Sequence, residues 1–123
     1  MKPKQHNPAK ISQSIWEFAG DFIRMGETLE QRQIHLNAAC SAWNIACNHP
    51  GVRKKNLDHF MRSYKEYNPN AEETALAAIR SDMEHLIEVK LEMFSGDLRQ
   101  IVNARISRSG DTDRIEAAAA RLQ

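Results

Sequence analysis

Gln33, Asn37, Ser41, Asn44 and Asn48 recur at i, i+4, i+8, i+11 and i+15, a spacing that sets five uncharged polar side chains in one row along a helix. The segment holding them, Gln33 to Asn48, has no Asp, Glu, Lys or Arg in a chain where 27% of residues carry such groups. A charge-free helical run belongs inside a molecule, and buried amides must be paired. Two arrangements would pair them. One is a network between neighbouring elements that fixes their register. The other is a pocket in which Asn37, Ser41 and Asn44 present donors and acceptors to a small ligand or peptide. The network, or a partly solvated stripe, is the expectation, because a small domain has little room for a cavity beside Trp43.

A different chemistry is offered by Lys54, Lys55, Arg62 and Lys65, which share one arc of a predicted third helix with only Asp58 among them. Arg53 lies beside this stripe, and Lys2, Lys4 and Lys10 add positive charge near the start of the chain. A local basic surface of this kind is what phosphate binding needs. Phe60, Tyr64 and Tyr67 fall on the opposite arc, where they fit a core better than a stacking platform for bases. The net charge is only +1, so no whole-molecule field draws the chain to nucleic acid or to an anionic membrane. Nucleic-acid binding is therefore an alternative reading.

The run Arg80-Ser-Asp-Met-Glu-His85 resembles the R-x(4–6)-H motif of the HEPN ribonucleases, a helical family that assembles its active site across a dimer. The resemblance covers six residues and implies Arg80 and His85 as a catalytic pair. On a helix these two lie about 140° apart, and Asp82 and Glu88 stand three residues to either side of His85. An exposed ion-pairing histidine accounts for the same pattern.

Asp82 and His85 with Glu88 or Glu92 also sample metal-ligand types, which His35, His49 or His59 would have to complete. No Glu-x-x-His pair occurs, as a di-iron bundle requires, and Cys40 and Cys47 form no C-x-x-C motif. On one helix those thiols sit about 10 Å apart, too far for a disulfide. They are expected as reduced, unreactive core thiols. No G-x-S-x-G and no glycine-rich phosphate loop is present. No catalytic residue, cofactor or metal is expected. Lys90 falls inside an apolar arc, and its stem is expected to cover that surface while the ammonium reaches water.

The elements that must position these residues are marked by proline, glycine and capping signals. A basic arm spans residues 1–7, after which Asn7-Pro8 predicts the start of a helix running to about Met25. Ile11, Ile15, Phe18, Phe22 and Met25 share one face of it, widened by Trp16, Ala19 and Ile23. Gly26 closes it in a left-handed conformation, and Thr28 with Gln31 predicts a capping box for the second helix. Two apolar stripes on that helix require two neighbours, and the indole N–H of Trp43 requires an acceptor. Asn48-His49-Pro50-Gly51 breaks the run before a third helix that ends near Tyr67. Asn70 with Glu73 predicts the cap of a fourth helix reaching about Phe94.

In the last stretch, Val102, Ala104 and Ile106 alternate with polar residues, Ser109-Gly110-Asp111 reads as a turn, and Ile115, Ala117 and Ala119 alternate again. That pattern predicts a β-hairpin, while Asp113 with Glu116 and the alanines 117 to 120 also suit a short helix.

The chain is thus expected to be mainly α, a four-helix bundle-like domain over 8–96, with a C-terminal hairpin or short helix over 97–123 packed on it. With 41% hydrophobic residues among 123, it can bury a core without staples. The charge-free run is too short and too polar to span a bilayer. Reduced thiols and a start without an apolar leader core point to the cytoplasm. The wide apolar arc of the first helix, with Trp16, Phe18 and Phe22, either meets another protein or a second copy, or is covered from within. The resulting expectation is a non-enzymatic interaction or regulatory module of an intracellular assembly.

Overall fold

The computed structural model describes residues 9–121. Four helices, α1 (Ile11–Arg24), α2 (Leu29–Cys47), α3 (Pro50–Tyr67) and α4 (Glu73–Met93), are followed by strands β1 (Arg99–Ser109) and β2 (Thr112–Arg121). The chain is mainly α with a C-terminal two-stranded antiparallel hairpin, the class its sequence predicts. The basic arm, with Lys2, Lys4 and the Asn7-Pro8 start signal, lies outside the described residues. Among the described residues no helix is long and apolar enough to cross a membrane.

α2 packs against α1, α3, α4 and β1, and this enclosure is the physical reason that, beyond Glu30 and Arg32 in its first turn, it carries no charged residue. Leu36, Ala39, Ala42, Trp43, Ile45 and Ala46 are buried along it. At its start the Thr28 hydroxyl accepts the Gln31 N–H at 3.0 Å, and the Gln31 side chain accepts the Thr28 N–H at 3.3 Å. Both halves of the expected capping box are therefore formed. At its end only Asn48 and His49 separate it from α3, where His49 Nδ1 accepts the Gly51 N–H at 3.0 Å and Pro50 takes the first helical position.

Several sequence expectations need correction. α1 begins at Ile11, not Pro8, because Lys10 is extended (φ −55, ψ 144) and cannot belong to a helix. Inside α1, Ala19 departs from helical geometry (φ −139, ψ 16). Beyond it Ile23 is still fully buried, but Met25, at the C-cap, is 67% exposed. Gly26 is not left-handed; of the described glycines only Gly110 has positive φ. It is needed for closeness instead, since a Cβ there would stand 2.7 Å from the Arg32 backbone nitrogen. The box at Asn70 and Glu73 does not form: the Ala71 N–H bonds to the Asn68 carbonyl at 3.0 Å, which spends Asn70 on a turn around Pro69 and delays α4 to Glu73.

The hairpin turns through Gly110 (φ 63), a value the first position of a two-residue loop requires and glycine adopts without strain. The strands pair from Ser109 opposite Thr112 to Arg99 opposite Arg121, with a register shift between Ile101 and Asn103. Val102 is the extra residue. Strict alternation would put Val102 with Ile106 on the core face, yet Val102 is 63% exposed while Ile101 is 6% and Ile106 4%. A bulge changes the parity of a strand, and here it exchanges Val102 for Ile101.

Candidate functional site

The polar row on α2 faces β1. Asn44 accepts the Ile101 N–H at 2.7 Å and donates to the Ile101 carbonyl at 2.8 Å. Gln33 accepts the Ile106 N–H at 2.9 Å and donates to the Ala104 carbonyl at 3.2 Å. These two amides thus do for the outer edge of β1 what a neighbouring strand would do. Asn37 accepts from Gln33 at 2.8 Å, and Ser41 lies half-buried between them. The row acts as a rail that holds the hairpin, the network of the two arrangements weighed above.

A second set of bonds grips the entry to β1. Trp43 Nε1 donates to the Arg99 carbonyl at 2.8 Å, which supplies the acceptor its burial requires. Lys90 donates to the Phe94 carbonyl at 2.8 Å and to the Asp97 carbonyl, with its ammonium 4.7 Å from the centre of the Trp43 ring. Its side chain does not reach water as expected; Lys90 is 1% exposed. Two carbonyls that follow the last turn of α4, at the negative end of the helix dipole, receive its charge. Burial would push the Asp97 carboxyl up, but hydrogen bonds from the Arg99 side chain and backbone hold it below the usual carboxylate value.

The cysteines are half-buried, less enclosed than expected, and free. Burial pushes the Cys40 thiol up to about 12. Cys47 is raised by burial as well, against the opposing pull of Lys90.

The motif read as catalytic is split between two sides of α4, whereas the basic residues read as nucleic-acid-binding lie together on α3. Arg80 faces α3, bonded to Asp58 at 2.7 Å and paired with Glu84 at 3.7 Å, whereas His85 opens into a cleft between α1 and α4. Helical spacing keeps them apart. Bonds from Arg80, then Lys54, hold the Asp58 carboxyl below its ordinary value. Lys54 is engaged with Asp58 at 3.2 Å, while Lys55, Arg62 and Lys65 project into solvent. Phe60 and Tyr64 stack on each other (6.3 Å) and are half-buried. Among the described residues no group of three or more His, Cys, Asp or Glu side chains is close enough to hold a metal ion.

The cleft between α1 and α4, about 420 Å³, gathers all three residues predicted to meet a partner, Trp16, Phe18 and Phe22. Their roles differ. Phe18 is buried, edge-on to Trp43 (5.3 Å) and to Phe94 (6.4 Å), so it is a core residue beneath the cleft, not part of a docking surface. Phe22 is half-buried and stacks on His35 (4.7 Å between ring centres). Trp16 is half-buried with the Arg24 guanidinium 4.8 Å from its ring centre, an approach that Gly20 permits: a Cβ there would stand 3.0 Å from Arg24.

Sequence reasoning missed Met25, Leu86 and Val89, which complete the apolar wall, and Glu17, Asp21 and Asp82, which line the same cleft. Met25 shares the apolar face of α1 in the sequence, and nothing there marks its exposure at the end of the helix. Asp82 and His85 were paired by their i, i+3 spacing, but their opposite wall was not legible. No protein-family model, curated protein or solved structure matches this chain.

Proposed function

We propose that this chain is a small non-enzymatic interaction module of an intracellular assembly, and that its docking site is the cleft between α1 and α4. The observation that carries this reading is the joining of Trp16, Phe22 and Met25 to Leu86 and Val89 in one concave apolar surface edged by Glu17, Asp21 and Asp82. Aromatic and methionine side chains are the types that interfaces favour. The acids select a partner segment whose apolar anchors are flanked by positive charge. Two free cysteines with no disulfide between them suit a reducing compartment.

The test is recovery of the tagged protein from its native cells beside two variants. One combines Trp16→Ser with Met25→Ser, and the other converts Lys54, Lys55, Arg62 and Lys65 to Ala. A protein that accompanies the wild type and the α3 variant, but not the cleft variant, is the expected result. Recovery of RNA or DNA that depends on the α3 residues and falls steeply with salt would instead support a nucleic-acid accessory protein.

A further inference from the structure

The two edges of the hairpin are treated differently. Along β1 the outward N–H groups of Ile101 and Ile106 and the outward carbonyls of Ile101 and Ala104 are taken by Asn44 and Gln33. Residues opposite each other in an antiparallel ladder turn their backbone groups the same way, both inward or both outward. Ala104 lies opposite Ala117, Ile106 opposite Ile115 and Arg108 opposite Asp113. Asp113, Ile115 and Ala117 therefore direct their N–H and C=O groups to the outer edge of β2. Among the described residues that edge has no partner, either strand or side chain.

Its protection is partial: the first half of the strand carries Asp113, Arg114 and Glu116 but no other device that blunts an edge. Charged lysines, prolines and bulges blunt a free edge, but β2 has neither Lys nor Pro, and the register shift opens around Val102 of β1. A groove of about 610 Å³ borders the first half of the edge, between Thr112, Arg114 and Ile115 on the strand and Lys10, Gln13 and Trp16 on the helix side. Four alanines follow, with too little side chain to obstruct an incoming backbone.

We propose that this edge binds β2 of a second copy of the chain, antiparallel about a two-fold axis at Ile115, so that two hairpins merge into a four-stranded sheet. A two-fold interface must be self-complementary, and this strand is. Arg114 and Glu116 flank Ile115 on the solvent face, so pairing about Ile115 sets each Arg114 directly opposite Glu116 of the other copy. Opposite charges facing across strands stabilise a pair, whereas like charges oppose it. An axis at Glu116 would place the two glutamates face to face, and an axis at Ala117 would leave both charges opposite alanines. The charges select the first register. Asp113 and Ala117 then exchange backbone bonds across the axis, adding a strand in the manner of β-augmentation.

The pairing does not depend on the cleft, and its test is separate. Sedimentation equilibrium of the full chain over a concentration series should show the mass rising from 14.0 kDa toward twice that value. Arg114→Glu alone and Glu116→Arg alone should each weaken the dimer at least tenfold, because both create two repulsive pairs. Mixing the two variants should restore it, since each Glu then faces an Arg. Circular dichroism identical to the wild type checks that the hairpin persists. A chain that stays monomeric at millimolar concentration overturns the proposal, as would be found if the edge serves only a strand from another protein. A dimer indifferent to both charge variants also overturns it, by placing the contact elsewhere.

Discussion

Asn44 shows at the level of one residue why a polar side chain belongs in this core. Its amide holds both backbone groups of Ile101, and truncation leaves a donor and an acceptor without partners in a partly buried place. Each unpaired group costs about 1–3 kcal/mol. Asn44→Ala should therefore lower the unfolding free energy by about 2–3 kcal/mol in urea titrations, while Asn37→Ala, at the exposed end of the row, should cost under about 0.5 kcal/mol. Equal losses would show that the row is not a hydrogen-bonded rail. The charge-free run, the amide spacing and the need of Trp43 for an acceptor were all readable in the sequence. The destination of these bonds was not, because the acceptors are backbone atoms of a strand more than fifty residues away. Lys90 was misplaced for the same reason: carbonyls carry no side-chain signature, and those of Phe94 and Asp97 are what make its burial tolerable.

Among elements, the hairpin depends on ion pairs at both ends. Asp113 is bonded to Arg32 of α2 and, at 3.1 Å, to Arg108 of β1. Burial works to raise its carboxyl, but bonds from Arg108 and Arg32 outweigh that and hold it below the ordinary value of 3.8. Asp97 at the other end is lowered as well. A carboxylate depressed in the folded state contributes its full stability above the ordinary value and loses it as pH falls through the folded value. The unfolding free energy should accordingly be steady near neutrality and decline once the pH drops below about 4. Asp113→Asn should be less stable at pH 7 and flatter in acid, as denaturant titrations at pH 7, 4 and 3 would reveal. An acid limb unaltered by this change would remove Asp113 from the account. Helix ends at Thr28, Pro50 and Asn68 could be read locally, since capping and proline chemistry is local. The kink at Ala19 and the bulge at Val102 could not: no local signal marks either, and the bulge alone decides that Ile101 and not Val102 is buried.

For the molecule as a whole, α2 is a hub, packed by α1, α3 and α4 along the apolar residues of its second half and by the hairpin along its polar row. This arrangement covers most of the wide arc of α1 from within, through α2, α4 and β2, and among the described residues leaves the α1/α4 cleft and the edge of β2 uncovered. The sequence announced a surplus of apolar residues on α1 but not which of them would remain outside, because that depends on where α4 and the hairpin settle. The same arrangement makes one sharp demand on hydrogen exchange in dilute solution, where any pairing between copies is dissolved. The amides of Ile101 and Ile106 lie on a strand edge with no neighbouring strand, yet Asn44 and Gln33 occupy them. They should exchange as slowly as the ladder amides of β1, whereas the Ile115 and Ala117 amides on the open edge should exchange orders of magnitude faster. If the Ile101 and Ile106 amides exchange as fast as those two, the central helix does not hold the hairpin through its amide row.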